Sequence, residues 1–207
     1  MKENEIQDEL TSIRSLMERS SKFISLSGLS GVLAGVYALI GAGFAYLVLY
    51  YGSGWHTVIH FYNNGRDAII TSLISAALLV LIFSIITGFL LTRRKARKKG
   101  QNVWGPTSRQ LLFNMIMPLL SGGILIIILV FRGHYGIISP SSLIFYGLAL
   151  VGASNFTFKD VRYLGILEII LGLIAACLPG YGLLFWAIGF GVLHIVYGTI
   201  MYLKYDR

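Results

Sequence analysis

The sequence predicts an all-α membrane protein: six transmembrane helices in three antiparallel hairpins, both termini cytoplasmic, preceded by a cytoplasmic amphipathic helix. Three observations carry this. Six apolar stretches, at 23–51, 68–92, 110–131, 138–156, 163–178 and 183–203, stand against the ~20 apolar residues needed to cross ~30 Å of hydrocarbon. When the chain is threaded through them alternately, 15 of the 17 Lys and Arg fall on one face and only Arg66 and Arg132 on the other. By the positive-inside rule the rich face is cytoplasmic. Finally, the chain is 56% hydrophobic, 13% charged and of mean hydropathy +0.74, which leaves too little polar sequence for a separate soluble domain.

In chain order, residues 1–22 form the leader. Ile6, Leu10, Ile13 and Met17 recur at alternating four- and three-residue steps, the seam of an amphipathic helix, and Glu18 and Lys22 make a favourable i, i+4 pair. Five acids against four bases argue against docking on anionic lipid, which leaves residues 4–18 as a cap packed on the chain's own bundle or as a helix for self-association or a protein partner. The first span carries Gly28, Gly31 and Gly35 at packing intervals. The loop 52–67 holds Trp55, His56, His60, Phe61 and Tyr62 on the outer side.

After the second span, Arg93, Arg94, Lys95, Arg97, Lys98 and Lys99 read as the longest cytoplasmic connection, in contact with lipid head groups. In the third span Asn114 lies four residues before Pro118, which predicts a kink with polar groups at hand to satisfy the freed backbone. The fourth span contains Pro140, Ser141 and Ser142; the fifth is short and carries Glu168. A turn at Leu178-Pro179-Gly180-Tyr181-Gly182 precedes the sixth, and 204–207 form a cytoplasmic tail.

Folding the chain about that last turn sets residues opposite when their numbers sum to 362. Glu168 then meets His194, Gly172 meets Gly191, and Gly165 meets Gly198. Each trio falls at i, i+3 and i+7, hence on one helix face, which predicts a close hairpin with a polar pair between glycines. An ionisable residue inside a span is costly and marks a functional site. Two roles fit the pair: an interhelical fastener, or a proton-linked site.

Other chemistry is excluded or weak. The net charge of +8 belongs to membrane-flanking loops rather than to a nucleic-acid surface. The single Cys177 excludes an internal disulfide and a cysteine metal cluster. His56 and His60 at i, i+4, with His134, lack a nearby carboxylate or Cys, so no metal and no cofactor is expected. There is no nucleophile motif, phosphate loop or carboxylate dyad, so the chain reads as a non-enzyme; Gly189 to Gly191 lies inside a membrane helix, the wrong context for a nucleotide.

The segments 17–28, 143–150 and 185–198, the last reading Phe-Trp-Ala-Ile-Gly-Phe-Gly-Val-Leu-His-Ile-Val-Tyr-Gly, resemble a family of small uncharacterised bacterial polytopic inner-membrane proteins. That resemblance implies the membrane class and location and attaches no activity. The reading at this level is a non-catalytic membrane component, regulatory, sensory or scaffolding, that contacts a partner through its leader. The alternative is a small proton-linked transporter using Glu168 and His194.

Overall fold

The computed structural model describes residues 27–51, 65–98 and 104–206. The leader, the segment with His56 and His60, and Lys99 lie outside them. Six helices and no strand are present among the described residues: α1 (Gly28–Tyr51), α2 (Gly65–Lys98), α3 (Pro106–Phe131), α4 (Ile138–Ala153), α5 (Asp160–Cys177) and α6 (Gly182–Tyr205). Five of them, α4 together with its flanking turns as Tyr135–Phe156, are long and apolar enough to cross a membrane. The exception is α5, which has Asp160, Arg162 and Glu168 within its 18 residues. Large apolar side chains such as Ile40, Ile85 and Phe113 project outward on the other helices, as in a protein solvated by hydrocarbon.

Local chemistry sets the boundaries. Gly105 is extended and Pro106 takes the first position of α3, where its missing N–H is no loss. The helix closes on Gly133 at φ +73°: the Gly133 N–H donates to Val130 O and the His134 N–H to Leu129 O, a Schellman ending that needs a left-handed residue. Between α5 and α6, Pro179 and Gly180 (φ +94°) fill the middle of a turn closed by the Tyr181 N–H on Leu178 O, the residue pattern of a type II turn.

One expectation changes here. The basic run is not a connection: α2 continues through Lys98 for 34 residues, about 51 Å at 1.5 Å per residue, and so overruns the hydrocarbon. Lys95, Arg97 and Lys98 occupy its last turn, where the helix dipole favours cations. Pro118 lies inside α3, and polar side chains stand around it. Asn114 Nδ2 donates to Gln110 O and Ser121 Oγ to Met117 O. The Asn114 carbonyl, deprived by Pro118 of its usual donor, is backed by Gly152 of α4, where a Cβ would stand 3.3 Å away.

The helices pack as two sets of three. In one, α1 lies between α2 and α6; in the other, α4 lies between α3 and α5. Glycines bring the backbones together within each set. A Cβ on Gly35 would stand 2.6 Å from Gly191 O, and one on Gly31 would stand 3.1 Å from Gly198 Cα. A Cβ on Gly165 would stand 2.7 Å from Gly147 O, and one on Gly172 would stand 2.9 Å from Pro140 O. The predicted pairing of Gly165 with Gly198 and of Gly172 with Gly191 is therefore overturned. The physical reason is competition: α1 and α4 offer α6 and α5 a closer backbone than these two offer each other. Contacts between the two sets are sparser, made largely by α5, α4 and α6 around Leu150, Val161, Leu164 and Met201.

Candidate functional site

At that seam the α5 residue Glu168 is 0% exposed, and neither carboxylate oxygen has a hydrogen-bond partner among the described residues. Oε1 lies 3.4 Å from Nδ1 of His194 on α6. The glycine register proposed from the sequence is wrong, yet these two side chains are adjacent. They meet because α6 presents no side chain at Gly189: a Cβ there would stand 2.5 Å from Oε2 of Glu168 and 2.6 Å from Leu143 Cδ2.

His194 is itself buried and held at both nitrogens. Nδ1 is 3.0 Å from Gly189 O, and Nε2 is 2.8 Å from the Tyr146 hydroxyl on α4. A carbonyl can only accept, so Nδ1 carries a proton and donates to it; in the neutral ring Nε2 then accepts from Tyr146. The same Nδ1–H has Glu168 Oε1 as its second neighbour. His194 follows a stretch of wider π turns over Ala187–Leu193, a local departure from α geometry that recurs at functional sites. Trp186, Phe190 and His194 follow one another along α6, with ring centroids 5.1 and 5.9 Å apart, the first pair tilted and the second stacked, and Tyr146 closes on Phe190 at 5.0 Å.

Tyr146 and the π turns had no signal in the sequence. Tyr146 stands among apolar residues in the fourth span, and its approach to His194 depends on a packing of α4 beside α6 that hairpin arithmetic does not contain.

A second polar cluster ties the far ends of the helices. Asp206 Oδ2 accepts the Gly28 N–H at 2.9 Å and the Ser27 hydroxyl at 3.2 Å, capping α1, while Oδ1 pairs with Lys95 of α2. Lys95 thus differs from its basic neighbours: its side chain is only 11% exposed and lies over the Phe158 ring, which stacks on Tyr205 at 4.0 Å. Asp160 accepts from the Tyr205 hydroxyl at 2.6 Å and from Lys204 Nζ at 3.1 Å. Burial pushes the carboxyl up, but the hydrogen bonds from Tyr205 and Lys204 outweigh this and hold it below the ordinary carboxylate range.

The remaining candidates stay apart from the seam. Asn114 and Pro118 are on α3, Arg93, Arg94, Arg97 and Lys98 are exposed at the end of α2, and His134 is exposed in the turn after α3. Cys177 is exposed at the last position of α5. No group of three His, Cys, Asp or Glu able to hold a metal occurs among the described residues. Neither a family model, nor a curated protein, nor a solved structure matches this chain.

Proposed function

We propose that the protein is a non-catalytic component of the bacterial inner membrane that senses protons through Glu168 and His194 and passes that state on as a regulatory signal. The observation that carries the reading is the Glu168 carboxyl, fully buried with no donor on either oxygen. Burial of a carboxylate requires a donor or a counter-charge, and a proton is the smallest ligand that supplies the need. The titratable groups facing it are His194 on α6 and Tyr146 on α4. A change of charge there acts at the seam between two closely knit sets of helices, where the contacts are sparsest and two arrangements differ least in packing.

The rest of the reading follows the sequence. The charge bias supports cytoplasmic termini, and the resemblance supports the bacterial inner-membrane setting. Residues 4–18 serve as the partner-binding or self-associating helix. Their attachment to the bundle runs through Ser27 and Gly28, which Asp206 fastens to α6 and, through Lys95, to α2.

A second reading, small proton-linked transport by the same pair, is favoured by the position of the pair between the two sets, where alternating-access proteins carry their sites. One preparation separates the two. In proteoliposomes, infrared difference spectra across a pH series are recorded beside proton flux. A protonated-carboxyl band that titrates in the parent and vanishes in Glu168→Gln, without flux, supports sensing; the same band with Glu168-dependent flux supports transport. Spectra identical in parent and variant sink both.

A further inference from the structure

The last turns of α2 divide their side chains by face. Thr92 and Ala96 are buried, and Lys95 is taken up by Asp206. Leu90, Arg93, Arg94, Arg97 and Lys98 fall at i, i+3, i+4, i+7 and i+8 on the opposite face, and line an open cleft of about 380 Å³. Towards the middle of the helix this same face is apolar and exposed, through Leu79, Ile82, Phe83 and Ile86. Four cations therefore stand at the foot of a hydrocarbon-facing stripe. Asp206 and Asp160, the carboxylates described at this end, are engaged by Lys95 and by Lys204 and Tyr205; no described carboxylate pairs with the four.

A free phosphate would meet only the cations. A diacyl phospholipid meets both halves of the face, its phosphate on the guanidinium groups, which match phosphate oxygens in pairs, and an acyl chain along the stripe. We infer that this face of α2 is a binding site for the head group of an anionic phospholipid, and that Lys95, counted among the basic run by the sequence, takes no part in it. The inference does not depend on the proton-sensing reading, since it uses no residue of the Glu168 seam.

The test uses the full-length protein exchanged into micelles with defined lipid, with retained lipid counted by native mass spectrometry. Phosphatidylglycerol is expected to be retained over phosphatidylcholine by about tenfold or more, from four cations acting together near a head group. The R93Q/R94Q/R97Q/K98Q variant loses the preference, K95Q keeps it, and excess inorganic phosphate does not displace the lipid. Should the fourfold variant fail to insert, R94Q/R97Q is read in its place and shows a partial loss. Equal retention of the two lipids by the parent, an equal loss in K95Q, or displacement by inorganic phosphate overturns the site, the last of these in favour of a free anion.

Discussion

Gly189 is the floor beneath the Glu168 carboxyl: a Cβ at position 189 would stand 2.5 Å from Oε2. The backbone of α6, rather than a polar side chain, closes the site on that side. Gly189→Ala is therefore expected to push Glu168 or Leu143 off its place and to cost about 1–3 kcal/mol, the range for overpacking a filled core. Gly88→Ala, where nothing lies within 4 Å, is expected to be neutral or slightly stabilising. Thermal midpoints in one detergent compare them, and equal midpoints would show that the floor is not tight.

The two members of the central pair differ in what they hold. His194 holds the Tyr146 hydroxyl and the Gly189 carbonyl, so His194→Ala deprives Tyr146 of its acceptor and leaves a void, at a cost of about 2–5 kcal/mol. Glu168 satisfies nothing through its oxygens, so Glu168→Gln, of the same shape, is expected to stay within about 1 kcal/mol of the parent. The reverse order of stability would make Glu168 the fastener and His194 the dispensable partner.

Topology is testable by reporter fusion. Fusions after residue 100 and after Arg207 should report the cytoplasm, and fusions within 54–64 or at 133–136 the opposite compartment, because 15 of 17 basic residues lie on one side of the thread. A fusion at residue 100 found outside contradicts the orientation.

What the sequence made legible followed from periodicity and solvation. Apolar length located all six helices, to within a few residues at most ends, because hydrocarbon requires long runs whatever their partners. The end of α2 was missed because Arg93 to Lys98 lack the apolar signature while the helix they continue does not need it. Glu168 and His194 were legible as costly residues in apolar spans, and their approach follows from one short turn. Gly165, Gly172, Gly191 and Gly198 were legible as packing residues but not in their partners, since a small-residue face fits any neighbour that offers another. Tyr146, which completes the site, is ordinary in composition and special only by position.

Asp206 caps α1 and pairs with Lys95, so one carboxylate fastens three helices. Asp206→Ala removes a cap worth ~1 kcal/mol and a largely buried ion-pair partner, and should cost about 2–4 kcal/mol in total. Limited proteolysis checks its place: cleavage near residue 27 should accelerate in this variant and not in Glu168→Gln. Equal cleavage in both would show that the start of α1 is held by other contacts.

Asp160 supplies a pH dependence whose sign can be worked out. Its carboxyl is held below the ordinary range in the folded protein, so the folded state keeps it charged more readily than the unfolded state does. The contribution is complete above the unfolded value of about 3.9 and is lost as pH falls below it towards the folded value. Because its Lys204 partner is exposed, screening keeps the effect small. Parent and Asp160→Asn should differ in thermal midpoint by the same amount from neutral pH down to weak acid, and the gap should then close in stronger acid. Added salt should narrow the neutral-pH gap, since the Lys204 partner is exposed. A gap that stays constant into strong acid would mean that Asp160 acts through the shape of its contact with Tyr205 and not through its charge.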